Sequence, residues 1–138
     1  MFLWPVRVYY EDTDSGGVVY YANYMKFMER ARTEWLRGYG FEQDDLAKRE
    51  GIIFAVRSID VEYLRPARFN DLLQVSVQLK EKGAATMKFF QQVISPGTNP
   101  PPGDVLCTGA VRLACLDATT LRPRRIPEPL LTEIVCDR

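Results

Sequence analysis

The sequence predicts a mixed α+β fold in which one long amphipathic helix is covered by a curved antiparallel sheet. Three observations carry that expectation. Tyr24, Phe27, Met28, Ala31 and Trp35 recur at helical spacing, while Lys26, Glu29, Arg30, Thr33 and Arg37 fall mainly on the other side. Further on, Leu73, Val75, Val77 and Leu79 alternate with Gln74, Ser76, Gln78 and Lys80, the cleanest period-two run in the chain. Most of what remains is strand-like, so strands must bury the helix's apolar stripe.

Taken in order, Val6, Val8 and Tyr10 alternate with Arg7, Tyr9 and Glu11 and predict a short first strand. An acidic Gly-Gly loop follows. The period changes at Asn23, the expected N-cap, and Arg30 and Glu34 stand at i,i+4 for an ion pair. Gly38 and Gly40 end the helix. Ile59, Val61 and Tyr63 then alternate with polar residues until Pro66 stops the run. After the 73–79 strand, Lys82-Gly83-Ala84 predicts a turn into a strand over 85–94. The Pro/Gly-rich stretch 95–103 is a loop, joining that strand as a long hairpin to another over 105–116. Gly109 inside the latter marks a bulge or a close approach. Pro123 and Pro127 break the tail ahead of a short helix over 128–135. No repeat or linker divides the chain, and one domain over 1–138 is expected.

Composition narrows the chemistry. Eighteen basic and eighteen acidic side chains cancel, with no basic tail, which argues against nucleic acid as a partner. Cys107, Cys115 and Cys136 show no metal-ligand spacing, and no metal site is expected. The first two would lie about 26 Å apart on one strand, too far for a disulfide. Reduced thiols, no signal peptide and no membrane span together predict a cytoplasmic protein. The chain has no histidine. That removes the Ser-His-Asp triad, the His-Glu-x-x-His zinc site and any histidine base.

The chemistry that remains concentrates in Tyr10-Glu11-Asp12-Thr13-Asp14-Ser15-Gly16-Gly17-Val18-Val19-Tyr20-Tyr21-Ala22-Asn23-Tyr24. Three carboxylates and a Gly-Gly pair stand directly ahead of the helix. Free backbone N–H groups and the positive end of the helix dipole collect there, suiting a carbonyl oxygen that gains negative charge. By position alone, Asp14 fits an Asx turn ahead of Gly16-Gly17 as well as it fits a catalytic carboxylate. Glu11 and Asp12 fit loop solvation or helix-dipole partners.

This run, continuing into Phe27-Met28-Glu29-Arg30-Ala31-Arg32, resembles the signature of hotdog-fold acyl-CoA thioesterases. It is similar to the 4-hydroxybenzoyl-CoA thioesterase-like group, and especially to its YbgC-like branch, associated with the Tol–Pal envelope system. Asp60-Val61-Glu62-Tyr63-Leu64-Arg65-Pro66-Ala67 followed by Asp71-Leu72-Leu73 is a second, less specific match. The resemblance implies an α+β hotdog fold that hydrolyses an acyl-CoA to a carboxylic acid and free coenzyme A. Asp14 matches the catalytic carboxylate, acting as general base or nucleophile. Tyr21 matches the position whose backbone N–H binds the thioester oxygen, and Gly17 the glycine that lets substrate approach the main chain. Many YbgC-like members carry histidine where this chain has Tyr21, so its side chain supplies no imidazole. Lys80, Lys82 and Lys88 flank a turn that the resemblance places near the nucleotide, making them candidates for the phosphates. No cofactor beyond the substrate's own coenzyme A is implied. A homodimer is expected, with its sites at the interface, and a dimer of dimers giving a homotetramer. The rival readings are a non-hydrolytic acyl-thioester binder or envelope scaffold, and a thioesterase acting on acyl carrier protein.

Overall fold

A computed structural model describes residues 1–95 and 103–137. The elements are β1 (Phe2–Arg7), α1 (Asn23–Gly38), α2 (Gln43–Asp45), β2 (Ile52–Tyr63), β3 (Leu72–Lys82), β4 (Thr86–Ser95), β5 (Asp104–Asp117) and α3 (Glu128–Glu133). A 3-10 turn at Tyr10–Asp12 and a π-helical turn at Leu46–Glu50 complete them. The five strands form one antiparallel sheet in the order β1-β3-β4-β5-β2. Register shifts at Val56/Ser58, Leu79/Glu81 and Val93/Ile94 bend individual strands, as bulges do.

Helix α1 lies on one face of this sheet. Tyr24, Phe27, Met28, Ala31, Trp35 and Leu36 are buried from the helix, and Val75, Val77, Leu79, Phe89, Val93, Val111 and Leu113 from the strands. Each large side chain so buried contributes roughly 1.5–3 kcal/mol. Trp35 meets Phe89 edge-on, with ring centroids 5.2 Å apart. This is the hotdog arrangement that the resemblance implies. At Gly109 helix and sheet come close together: a Cβ there would lie 2.7 Å from the Met28 sulfur. Of the two readings of Gly109, close approach is the correct one, since its pairing with Val61 and Gln91 is unbroken.

Several local expectations need correction. The first strand ends at Arg7, because the chain turns away through the 3-10 turn, where Tyr10 was expected to continue it. Asn23 is the first helical residue and makes no cap bond; its side-chain amide donates to the Asp12 carbonyl at 2.9 Å. Arg30 does not pair with Glu34. It lies over the Phe27 ring, and Glu34 pairs with Arg37 one turn on. Strand β2 starts at Ile52, well before the alternation at Ile59, because its bulge at Val56/Ser58 breaks the period. The Pro/Gly-rich stretch falls mostly outside the described residues, but β4 and β5 pair as the hairpin requires. All three cysteines are free.

Candidate active site

Two carboxylates two positions apart behave in opposite ways. Asp12 is buried: one of its oxygens accepts the Tyr9 N–H at 2.8 Å, and its carbonyl accepts both the Tyr20 N–H and the Asn23 amide. It ties the start of the loop to the start of α1. Asp14 is exposed at the base of a tight turn, where its N–H donates to the Val18 carbonyl at 2.9 Å. Its carboxylate Oδ1 accepts the Gly16 N–H at 2.8 Å, and its carbonyl accepts the Gly17 N–H at 3.0 Å. An Asx turn is therefore present. It engages one carboxylate oxygen and leaves Oδ2 without a partner among the described residues. The two readings of Asp14 are compatible, because the turn fixes a carboxylate whose second oxygen stays open.

Gly17 closes this turn at φ +78°, a left-handed conformation that a side chain would strain. A Cβ there would meet nothing within 4 Å, so the space above it is open. The returning arm is held by the Val19 N–H donating to the Ala67 carbonyl at 2.8 Å. Two residues later, the Tyr21 N–H makes no hydrogen bond among the described residues. No acidic residue occupies the first turn of α1, so the positive end of its dipole is not neutralised from within.

Aromatic rings surround this point. Tyr21 meets Tyr63 edge-on at 6.0 Å, and Tyr24 lies 5.7 Å from the same ring. Tyr24 is buried, its hydroxyl accepting the Ala67 N–H at 2.9 Å, whereas Tyr20 and Tyr21 are exposed. A cleft of about 230 Å³ runs between Val19, Tyr21, Tyr24, Tyr63, Leu64 and Arg65. Hydrogen bonding with the Tyr21 phenol is the main cause that raises the Tyr20 pKa, and the Asp14 carboxylate adds to it. Asp14 and these phenols therefore share one locality. Beneath them, burial pushes the Cys107 thiol up to about 12, so it is no nucleophile at neutral pH.

The lysines lie elsewhere. Lys82 donates to the carbonyls of Leu131 and Ile134, both at 2.8 Å, and caps α3. Lys82, a candidate for the phosphates, is thus engaged with α3 within one protomer. Lys88 pairs with Glu81 at 3.3 Å, and Lys80 has no ion pair among the described residues. The Asp14 loop is tied to the opposite end of β3, through Val8 donating to the Asp71 carbonyl. Within one protomer, Lys80 therefore stands about 30 Å from that end at normal strand rise. Among the described residues no group of three or more His, Cys, Asp and Glu side chains is arranged to hold a metal, and no helix is long and apolar enough to cross a membrane.

Sequence reasoning missed two residues. Arg32, which the helical spacing assigned to neither face, is 92% buried, with 8% of its surface exposed, and donates to Gln91 at 2.8 Å. The signal was available: Arg32 stands four positions from both Met28 and Leu36, on the apolar stripe, and Gln91 is in phase with Phe89 and Val93.

The thioesterase-like superfamily matches this chain over residues 8–134. The chain belongs to that superfamily. Its relatives place it in the YbgC branch. Acyl-CoA thioester hydrolase YbgC of Escherichia coli O6:H1 is 40% identical over 133 residues, covering 96% of this chain and 95% of that one. Acyl-CoA thioesterase YbgC of Haemophilus influenzae is 39% identical over 127 residues, covering 92% and 89%. Among solved structures, a probable thioesterase from Bartonella henselae superposes with a TM-score of 0.82 at 34% identity, covering 91% of this chain and 98% of that chain.

Proposed function

We propose that the protein hydrolyses acyl-CoA thioesters to a carboxylic acid and free coenzyme A, with Asp14 as base or nucleophile. The observation that carries this reading is a fixed carboxylate with one open oxygen, beside a helix start whose Tyr21 N–H is unpaired. The YbgC relatives give the thioester chemistry. As a base, Asp14 takes a proton from a water that attacks the thioester carbonyl. As a nucleophile, it attacks directly and forms a mixed anhydride, which water then hydrolyses. On either route the carbonyl oxygen gains negative charge and meets the Tyr21 N–H and the helix dipole. Collapse breaks the C–S bond and releases the coenzyme A thiolate, which takes up a proton. A thiolate leaves readily, so no strong general acid is needed, consistent with a chain lacking histidine.

Asp14 is exposed in one protomer, and a second copy is the natural cover. Strand β2 is an edge of 12 residues, with Val56 and Tyr63 exposed, whereas the other edge, β1, has six residues and carries Pro5. Long unpaired edges favour pairing with another strand. Antiparallel pairing of β2 with its copy sets the protomers head to tail. The partner's Ile52 end then stands beside this chain's Tyr63 end. Lys88 stands in register with Arg112 and Ser58, near the middle of β2. A dimer of dimers extends this assembly, and the free cysteines suit the cytoplasm.

The test is a panel of short, long and aromatic acyl-CoAs run on wild type and Asp14→Asn. Hydrolysis by wild type and its loss in the variant support the reading. Equal rates remove Asp14 from the mechanism, and binding without turnover favours a non-hydrolytic role.

A further inference from the structure

A partly enclosed cavity lies away from the Asp14 loop, at the middle of α1. It holds about 220 Å³ and is lined by Arg32, Trp35, Leu36, Phe54, Phe89 and Leu113, among others. Apolar side chains make up about half of its wall, and buried Arg32, exposed Glu29 and Gln43 supply the polar part. The Arg32 guanidinium uses Nη1 to reach the Gln91 side-chain oxygen at 2.8 Å, and Gln91 in turn donates to the Met28 carbonyl at 3.0 Å. Among the described residues Arg32 makes no other side-chain hydrogen bond and no ion pair. Among the described residues no fully buried side-chain nitrogen or oxygen lacks a partner, so the unpartnered Nε and Nη2 of Arg32 keep some access to open space, and the cavity that Arg32 lines is the space beside them.

Those two donors form one edge of the guanidinium and point the same way. That edge matches the two oxygens of a carboxylate, in the bidentate geometry that makes arginine selective for it. Burial lowers the Arg32 pKa, the sign of a charge taken from water without full compensation, and exposed Glu29 beside the cavity opposes this only in part. A buried charge gains most from an ionic partner. The aromatic and aliphatic walls suit the carbon chain that would carry one.

We infer that this cavity receives the far end of an acyl group bearing a second carboxylate, which the Arg32 Nε–Nη2 edge binds. The substrate class is then the monothioesters of dicarboxylic acids. The inference rests on the thioesterase reading above and on the head-to-tail dimer. Within one protomer Arg32 lies about 16 Å along the helix from Tyr21. Across paired β2 strands, the partner's helix start instead comes alongside Phe54 and Val56, at the wall of this cavity.

The experiment compares kcat/KM for succinyl-, glutaryl- and adipoyl-CoA with that for butyryl-, valeryl- and hexanoyl-CoA, matched in chain length. Wild type is expected to favour the carboxylated member by tenfold or more at one length. Arg32→Lys keeps the charge but loses the paired donors, and should cut that ratio about tenfold. Glu29→Gln should raise it. Glutarate and adipate are also titrated calorimetrically against wild type, Arg32→Lys and Asp14→Asn. Binding to wild type and Asp14→Asn, weakened in Arg32→Lys, supports the site even if no acyl-CoA is turned over, which would sink only the hydrolase reading. A ratio near one at every length, or a ratio unchanged in Arg32→Lys, overturns the inference, as does failure of both dicarboxylates to bind wild type.

Discussion

The start of α1 and its middle both leave hydrogen-bond donors without a protein partner among the described residues, but they do so in opposite surroundings. At the start, the unpaired Tyr21 N–H belongs to the backbone and stands beside exposed Asp14. In water an unpaired donor costs little. At the middle, the spare donors belong to a side chain that is 92% buried among Trp35, Phe89 and Leu113, Arg32 having 8% of its surface exposed. There an unpaired donor is expensive unless water or a ligand fills the cavity. The contrast separates two ways of building a polar site. One comes from helix geometry and needs no special side chain; the other needs a particular residue held by a particular partner.

That contrast can be broken at four points. The largest effect is expected for Asp14→Asn, which preserves the turn's acceptor for Gly16 while removing the charge. Turnover should fall by roughly 10²–10⁴-fold with the melting temperature little changed, measured by thioester hydrolysis alongside thermal unfolding. Next is Gln91→Leu, which removes the acceptor of a buried guanidinium. Urea unfolding should report a loss of roughly 1.5–3 kcal/mol, the worth of one charged-donor hydrogen bond; no loss would mean that Arg32 is not held by Gln91. Third is Asp12→Ala, which frees the Tyr9 N–H. A cost of about 1 kcal/mol is expected, as for loss of a helix cap, together with weakened activity, since the same residue anchors the Asp14 loop. The smallest is Tyr21→Phe, which leaves the backbone N–H in place. Turnover within about twofold of wild type is expected, and a large fall would give the phenol a role in the reaction.

Much of this was legible in the residues. The helix stripe, the 73–79 alternation, the hairpin of β4 and β5 and the terminal helix all came from periodicity and turn chemistry, which are local. The Asp14 loop was legible because a carboxylate, a Gly-Gly pair and a helix start follow one another in sequence. Asn23 was misread because a cap and a first helical residue look alike until the loop's path is known; here the side chain turns back to the Asp12 carbonyl. The early part of β2 was missed because its bulge interrupts the alternation on which strand reading depends.

By itself, then, the order of residues determined which face of α1 is apolar, which segments pair as strands, and where an acid meets free backbone donors, because each of these is a short-range property of the chain. Only the tertiary structure decided that Asp12 is a buried tie and Asp14 an open carboxylate, that Lys82 caps a helix, and that Arg32 points into the core against Gln91. Those outcomes depend on contacts between residues far apart in sequence. A side chain's charge does not reveal whether its partner will be water, a carbonyl from another element, or an amide on a strand 59 positions away.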